Sequence, residues 1–364
     1  MVNVHHYAGV CPRLAGPLLG LVLLHVYGMG AQCGERAESE VPEGVQVVGR
    51  TGLYYTNDVT LFSATRRMSL NADPTQPAID QFLVGQGADG VYEPTLEITK
   101  SWTHALGRTH AQVTGDGYVF MEKTAFTHGT LRLKLFQEFD AANTLMLSYY
   151  LSPDLYLGKN IVHLPLFTNG GVGESLSVNQ PLAPERLTSQ IGALKFGHRF
   201  TEDLELLGLA RFGIRRYDRE FAERNLSFWT FGPHLKTRIR PDLTWVLGYH
   251  FERGIAAGYQ SLLTNDDVSY NNNFISTEFE WNATPHDTVL LGLHFELNDW
   301  LSHNPMDARF KSSESTYQVD LNLQHAIDPD LMVYCGTQYG YRILSPEGAM
   351  TSIFNLSMGV QSTF

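Results

Sequence analysis

The sequence lacks any long hydrophobic run after its first thirty residues. The chain has 364 residues, of which 43% are hydrophobic, and its mean hydropathy is −0.16. A membrane-spanning helix needs about 20 consecutive apolar residues, and no later stretch supplies them. We therefore exclude a protein that crosses a membrane with a bundle of helices.

Basic residues and cysteines are also scarce. Lys and Arg number 26 against 38 Asp and Glu, giving a net charge of −12, which argues against a nucleic-acid partner because polyphosphate requires a basic face. Cys11 and Cys33 lie near the N-terminus and Cys335 stands alone in the rest of the chain, so the sequence predicts neither a disulfide framework nor a cysteine metal site. The glycines of LVGQGADG (83–90) lack the βαβ context of a dinucleotide site, and we expect no metal and no cofactor.

Residues 1–31 have the features of a signal peptide. Arg13 precedes an apolar run from Leu14 to Met29, and small residues around Gly30 supply a cleavage site. A retained helix or a lipid anchor at Cys33 is the alternative, although Gln32 replaces the small residue that a lipid-anchor motif needs. We expect residues 32–44 to form a short periplasmic lead-in and residues 45–364 to form the folded body.

From Val45 onward, segments with strand periodicity alternate with connectors that are short and long in turn. The short connectors carry the Gly, Pro, Asn or Asp that tight turns require. Fourteen such segments begin near Val45, Val91, His110, Gly129, Thr144, Leu187, Leu204, Leu226, Thr244, Asn272, Thr288, Thr316, Leu331 and Ile353. The pattern predicts an all-β fold, a transmembrane antiparallel up-and-down β-barrel of about 14 strands, with 12 to 16 compatible. An even number of strands places both termini on the same side of the membrane.

Four glycines with similar flanking residues support this division into hairpins. Gly208, Gly248, Gly292 and Gly336 recur at intervals of 40, 44 and 44 residues, with LGYHFE around the second and LGLHFE around the third. Each interval corresponds to one pair of strands.

The last thirteen residues form an amphipathic segment that ends on an aromatic residue. One face carries Phe354, Leu356, Met358, Val360 and Phe364, while the other is polar or small. This ending resembles the C-terminal signal of outer-membrane β-barrels, in which alternate residues are apolar and the final residue is Phe. The resemblance implies that Phe364 is an insertion signal read by the barrel-insertion machinery.

Over Val45–Phe364 the chain resembles the β-barrel porins, and YYTNDVTLF near the first strand is similar to the Tyr, Asp and Asn segment of some of them. The resemblance implies export to the cell outer membrane, periplasmic termini, and contact with outer-membrane lipid and lipopolysaccharide. A homotrimer is compatible with the sequence, because subunit contacts and lipid contacts are both apolar. The fatty-acid transporters also have fourteen strands, but their substantial N-terminal plug has no counterpart in the dozen residues before the first strand.

Period-two alternation alone does not tell the inside of a barrel from its outside. The export segment, the terminal Phe, the strand lengths and the tryptophans favour an apolar outer face. Indole rings favour the headgroup level of a membrane, so we expect an aromatic girdle. Its predicted members, all near strand ends, are Trp102, Trp229, Trp245 and Trp281. Trp300 falls on the inward side of its strand.

Charged residues on the inward side carry the remaining functional information. The basic set is Arg132, Lys134, Lys195, Arg199, Lys236 and Arg238, and the acidic or polar set is Glu278, Glu280, His294, Glu296 and Asp320. We expect one basic wall facing one acidic wall, a transverse field like that of general diffusion porins. The alternative is that these groups pair across a packed interior. Arg211 fits either side of the seventh strand, which suggests a β-bulge.

Two long loops could narrow a fourteen-stranded lumen. The loop 157–185 is unusually apolar, and its predicted constriction residues are Ile161, His163, Leu164 and Phe167. It could instead pack on the rim or on a partner. The loop 58–90 is a second candidate plug.

The sequence thus favours a passive channel for small hydrophilic solutes. The alternatives are an export pore for a polysaccharide or other polymer, and a closed structural or adhesive barrel that acts through its loops. His250 with Glu252, and His294 with Glu296, have the spacing of an acid–base pair on one strand face. Because no serine nucleophile motif accompanies them, we predict that the protein is not an enzyme.

Overall fold

A computed structural model describes residues 44–65, 77–80, 83–162, 181–261, 266–344 and 349–364. Fourteen antiparallel strands form a closed barrel in which each strand pairs with its neighbours in sequence and β1 pairs with β14. The strands are β1 (Gly44–Thr56), β2 (Asp89–His104), β3 (Gly107–Phe120), β4 (His128–Glu138), β5 (Asn143–Ile161), β6 (Leu182–Thr201), β7 (Leu204–Tyr217), β8 (Leu226–Arg240), β9 (Leu243–Ala256), β10 (Tyr270–Asn282), β11 (Asp287–Trp300), β12 (Ser313–Asp328), β13 (Leu331–Leu344) and β14 (Ala349–Thr363).

Three short helical segments lie in the described parts of the connections. They are the α-helix α1 (Val59–Thr65) and the 3-10 segments Thr124–Phe126 and Arg219–Arg224. No helix among the described residues is long and apolar enough to cross a membrane. The predicted signal peptide and almost all of the predicted lead-in lie outside the described residues, and the strands begin one residue before the predicted Val45.

The predicted number and order of strands are confirmed. The largest difference between a predicted strand start and the observed one is five residues, at Leu187 against Leu182. Short turns at one end of the barrel and long loops at the other alternate as expected. Local alternation and turn chemistry are therefore sufficient to delimit the strands.

Two of the short turns show why their residues are required. Gly107 begins β3 with a φ of +107°, and a Cβ there would collide with the carbonyl oxygen of Glu138. In the turn between β4 and β5, one carboxylate oxygen of Asp140 accepts the backbone N–H groups of Ala142 and Asn143, each at 2.8 Å. The first turn thus needs glycine for its positive φ, and the second needs an aspartate to accept two backbone N–H groups.

Arg211 lies inside the barrel. Its side chain is 4% exposed, and the pairing of β7 with β6 is continuous from Tyr217 to Glu205. The bulge expected at Arg211 is therefore wrong, since the register shift in this pair falls at the turn, between Arg199 and Thr201.

The recurring glycines do occupy alternate strands, β7, β9, β11 and β13, as the hairpin interpretation requires. However, Gly208 lies opposite Pro233 whereas Gly248 lies opposite His234. The two glycines are thus offset by one position in register, and one position reverses the face of a strand. As a result Gly208 faces outward and Gly248 inward.

Candidate functional site

The barrel has an apolar outer face and a polar interior. On β12 the outward side chains Tyr317, Val319, Leu321 and Leu323 are between 38% and 48% exposed, whereas the inward Gln318 is 2% exposed. The same division holds on β14, where Phe354, Leu356, Met358 and Val360 are exposed and Asn355 is buried. A water-soluble barrel has the opposite polarity, whereas lipid favours an apolar outer surface around a polar lumen.

The protein is therefore a closed β-barrel with the polarity of a barrel that spans a membrane. Its predicted girdle tryptophans lie on outward positions: Trp102, Trp229 and Trp281 are exposed, and Trp245 is half-buried. The indole of Trp281 donates to Asp242 at 3.0 Å, and that of Trp245 donates to Thr277 at 2.6 Å. These rings combine an apolar body with a satisfied polar edge, as the interface between lipid and water favours.

The mouth at the end with the long loops contains the described parts of the connection between β1 and β2, residues 57–65, 77–80 and 83–88, and we call this connection the plug loop. On one side Val59 and Phe62 of α1 pack with inward side chains of the first three strands and with Phe126. The ring centroid of Phe62 is 5.6 Å from that of Tyr54 and 5.7 Å from that of Phe120. Phe62 is fully buried.

The plug loop also reaches the opposite walls. Leu61, Ile79 and Leu83 pack against side chains of β5, β6, β7 and β14, and Ala78 packs against side chains that extend from β5 to β10. One loop in contact with so many strands must cross the lumen. Burying each large apolar side chain contributes about 1.5–3 kcal/mol. The second plug candidate of the sequence analysis is therefore the loop that the structure places in the mouth.

Six polar side chains join the plug loop to the barrel, and we call them the salt-bridge cluster. They are Asp80, Asn160, Glu185, Arg224, Asp266 and Arg309. Arg224 is fully buried and donates to Asp80 at 2.6 Å, to Glu185 at 2.9 Å and to Asp266 at 2.6 Å. Arg309 bonds Asp266 at 3.0 Å and also bonds Asp80. The cluster gathers residues from six separate parts of the chain.

Charge pairing decides the ionisation of Asp80 and Arg224. Burial by itself would raise the pKa of Asp80, but the guanidiniums of Arg224 and Arg309 outweigh it and hold that pKa well below its usual range. Burial would lower the pKa of Arg224, and the three surrounding carboxyl groups raise it instead. The plug is consequently held by an ionised carboxylate between two cations.

A second polar network fills the lumen beneath the plug loop. Arg211 donates from Nη2 to Nδ1 of His250 at 3.1 Å, and the Nε2 atoms of His250 and His234 are 2.5 Å apart. Because arginine can only donate, Nδ1 of His250 is an acceptor, and its proton lies on Nε2 and points to His234. The two imidazoles are therefore neutral in this arrangement.

Two carboxylates continue this network. Glu252 accepts hydrogen bonds from Thr230 and Tyr270, each at 2.5 Å, and Glu296 accepts one from Asn272 at 2.5 Å. These groups line a cavity of about 20 Å³ directly under Ala78 of the plug loop. Such a cavity has room for little more than one water molecule. The described plug loop and the inward side chains of β7–β11 therefore close this part of the lumen.

Ser276, His294 and Asp320 lie side by side on β10, β11 and β12. Ser276 Oγ is 2.7 Å from Nδ1 of His294, and Nε2 of His294 is 2.8 Å from Asp320 Oδ2. The order of groups is that of a nucleophilic triad, but Ser276 is fully buried. The N–H groups of β10 and its neighbours belong to the strand ladders, so those near Ser276 are already engaged. The geometry is that of a structural hydrogen-bond chain.

The predicted basic lumen residues divide into two groups. Arg132, Lys134, Lys195 and Lys236 are half-buried on inward positions, and Arg132 lies 5.8 Å from the ring centroid of Tyr150. Arg199 and Arg238 are exposed at the rim with the short turns, where Arg238 pairs with Asp203 at 3.5 Å. Only the first group is placed along the lumen.

On the acidic side, His294 and Glu296 are buried in the networks just described, while Glu278, Glu280 and Asp320 are half-buried on inward positions. The two walls are less separated than the sequence suggested. Arg342 on β13 pairs with Glu314 on β12, and Glu97 on β2 pairs with Arg50 on β1. Local pairing is thus mixed with the expected separation of charge.

Of the predicted constriction residues, Ile161 ends β5 and pairs with Leu182 at the start of β6. His163, Leu164 and Phe167 lie outside the described residues.

Sequence analysis missed the residues of the salt-bridge cluster. Asp80, Arg224, Asp266 and Arg309 lie in loops, where strand periodicity gives no orientation. Their pairing depends on loops brought together by closure of the barrel. The only available signal was the number of charged residues in loops that were expected to be solvated. Within the described residues, no group of three or more His, Cys, Asp or Glu is placed to hold a metal ion.

No family model matches this chain, and no curated protein matches its sequence. Among solved structures it is similar to OmpT, an outer membrane protein of Vibrio cholerae, at 12% identity and a TM-score of 0.44, with 88% of this chain and 97% of that chain covered. It is similar to the outer membrane channel DcaP of Acinetobacter baumannii at 8% identity and a TM-score of 0.45, with 88% and 97% covered. A FadL homologue of Pseudomonas aeruginosa matches at 9% identity and a TM-score of 0.46, with 88% and 90% covered.

Proposed function

We propose that the protein is an outer-membrane channel for small hydrophilic solutes and that its own plug loop closes it. The observation that carries this proposal is the way in which the described parts of the plug loop are held. Apart from Asn57, next to β1, whose backbone N–H donates to the carbonyl of Phe354 at 3.1 Å, they contact the walls through side chains, while the fourteen strands hydrogen-bond to one another around them. The loop can therefore leave the mouth without breaking a strand pair.

The distribution of burial in the lumen supports a path along one wall. Inward side chains of β9–β11, such as His250, Ser276 and Glu296, are buried. Those of β4–β6, such as Lys134, Ser148 and Lys195, remain partly exposed. Fourteen strands enclose more space than the eight that side chains alone can fill. We propose that solutes pass along β4–β6, where the basic side chains favour anions over cations.

Planar-bilayer recording of the refolded protein tests this proposal. In the decisive variant a short Gly/Ser linker replaces residues 59–84. A short linker suffices because the N–H of Gly85 is 2.6 Å from the carboxylate of Asp58, so the two ends of the loop already meet. We expect a mostly closed native protein and a steadily conducting variant. A variant with the same replacement in the opposite turn, residues 283–286, should behave like the native protein.

A closed barrel that acts through its loops is the second candidate, and the small cavity and buried networks favour it. The same recording separates the two. A linker variant that folds but remains silent would contradict the channel and favour the closed barrel.

We propose insertion by the barrel-insertion machinery, contact with lipopolysaccharide, and a homotrimer as the oligomeric state. Between β2 and β8 the outer wall is concave, with the small residues Ala111, Gly192 and Ala210 among its lining. Lipid or a neighbouring subunit would fill this concavity. Chemical crosslinking in native membranes tests the trimer, since a monomer-only pattern would contradict it.

A further inference from the structure

We propose that the salt-bridge cluster is a carboxylate-binding site of the channel mouth, which Asp80 occupies as an internal ligand until a carboxylate-bearing solute displaces it. This inference rests on the proposed channel function. It adds the chemical class of the solute and the way in which the solute opens the plug.

Three donors converge on the carboxylate of Asp80. Arg224 Nη2 and Asn160 Nδ2 each donate to Oδ2 at 2.6 Å, and Arg309 Nη2 donates to Oδ1. None of the donors belongs to the plug loop. Asn160 lies on β5, Arg224 in the β7–β8 connection and Arg309 in the β11–β12 connection. The acceptor thus belongs to the plug loop and all three donors belong to the barrel.

The donors are held in place without Asp80. Asp266 accepts from Nε and Nη2 of Arg224 at 2.6 and 2.7 Å, and from Arg309 Nη1 at 3.0 Å. Glu185 accepts from Arg224 at 2.9 Å and from Asn160 at 2.6 Å. The guanidinium of Arg309 also lies 5.3 Å from the ring of Trp300. Withdrawal of the plug loop would therefore leave a preorganised set of N–H groups aimed at one point.

The chemistry of that point selects a carboxylate. Withdrawal of Asp80 would leave several buried donors without an acceptor, which is unfavourable until another acceptor arrives. Two guanidiniums that each contact one oxygen match the two oxygens of a carboxylate. A cation offers these donors no lone pair, and a neutral amide lacks the charge that the guanidiniums stabilise.

The charge of the wall limits the solute to one carboxylate at this point. Arg224 and Arg309 carry two positive charges, and Glu185 and Asp266 carry at most two negative ones. The wall is therefore neutral or weakly positive before Asp80 is added. One added carboxylate keeps the site within a single charge of neutral, whereas two would leave it with excess negative charge. Asp80 supplies that one carboxylate when the plug is closed.

Competition at this site couples binding to opening. A solute that binds only when Asp80 has left shifts the population toward the open form by mass action. We expect the open fraction of the native channel to rise as acetate replaces chloride at constant ionic strength. Acetamide, which has the same shape without the charge, should have no effect.

The binding step can be measured apart from conduction, because Trp300 reports on Arg309. We would titrate the refolded Asp80→Ala variant with sodium acetate and record its tryptophan fluorescence. The same titration of Asp80→Ala combined with Trp300→Phe is then subtracted, which leaves the signal of Trp300. The vacated site should give a saturable change at about tenfold lower acetate than the native protein requires, because no internal carboxylate competes. Adding Arg309→Gln should abolish this change. Asp154→Ala removes an exposed carboxylate that pairs with Arg186 on the outer wall, and it should behave like the native protein.

The outcomes separate this inference from the proposed channel. A folded Asp80→Ala protein that conducts but shows no saturable acetate signal would overturn the carboxylate site and leave the channel standing. If neither this variant nor the linker variant conducts, the channel proposal fails, and the fluorescence titration still decides whether the site binds carboxylate. An equal response to acetamide would also overturn the site.

Discussion

Phe364 and Val47 hydrogen-bond to each other through both backbone groups. The N–H of Phe364 donates to the carbonyl of Val47 at 2.8 Å, and the N–H of Val47 donates to the carbonyl of Phe364 at 3.3 Å. The last residue therefore belongs to the seam that closes the barrel, although its ring is 79% exposed on the outer side. Closure leaves no strand edge unpaired in lipid, where an unsatisfied backbone group is costly.

Phe364 has two roles that can be tested separately: its backbone closes the barrel, and its ring is the predicted insertion signal. Because the pairing uses backbone atoms, Phe364→Ala should refold in detergent to the same heat-modifiable barrel as the native protein. In cells the variant should accumulate less in the outer membrane if the aromatic ring is the insertion signal. Ser362→Ala is the control, and comparison of outer-membrane fractions on gels is the measurement. Equal amounts of both variants would show that the ring is not read during insertion.

The direction of the β12 faces can be tested by one pair of substitutions. Leu321 faces outward near the middle of the strand, and its neighbour Asn322 faces the lumen. Leu321→Arg should lower the free energy of unfolding in lipid vesicles by about 2–4 kcal/mol, the usual cost of arginine at the bilayer midplane. Asn322→Arg should cost much less. Denaturant titration followed by tryptophan fluorescence gives both values, and a reversed order would mean that the lipid face is misassigned.

Charge reversal should separate lumen cations from rim cations. Lys236 is half-buried on an inward position, whereas Arg238 is exposed at the rim and pairs with Asp203. In the linker variant, Lys236→Glu should shift the reversal potential toward cation selectivity under a KCl gradient, because the field of a lumen charge acts on the permeating ion. Arg238→Glu should shift it less. No shift with Lys236→Glu would place that side chain away from the path.

The packing of Phe62 should control the plug rather than the barrel. Truncation of a buried phenylalanine costs about 3–5 kcal/mol, and here the lost contacts join the plug loop to Tyr54 and Phe120. Phe62→Ala should therefore raise the open fraction and expose the plug loop to proteases, with little change in the unfolding of the barrel. Phe139→Ala, at an exposed turn position, is the control. If Phe62→Ala instead lowers the stability of the barrel and leaves the plug loop closed, Phe62 stabilises the barrel rather than the plug loop, and the prediction is wrong.

Ser276 should be chemically inert. Its hydroxyl is buried and bonded to His294, so a fluorophosphonate probe should not label the refolded protein. Ser276→Ala should cost about 1 kcal/mol of stability, the typical contribution of one hydrogen bond. Labelling that disappears in Ser276→Ala would contradict the prediction that the protein is not an enzyme.

The strands were predictable because their information is local. Alternation along Phe354–Val360 and turn residues such as Gly107 act within a few positions, so the number and order of the strands follow from them. Loop side chains have no such periodicity. Even within strands, local pattern does not fix the face. Gly208 and Gly248 have similar flanking residues but differ by one position in register, so one faces outward and the other inward, because register is set by the neighbouring strand.

The fourteen strands, their meander order and the closing position of the last strand follow from the amino-acid order alone, since each depends on period two and on turn chemistry. Which loop enters the mouth, and which charges hold it there, is visible only in the folded barrel. Asp80 meets Arg224 and Arg309 because closure of the barrel brings three loops over one lumen. Such a meeting is fixed by the geometry of the closed wall, and residues far apart in the chain carry no local pattern that predicts it.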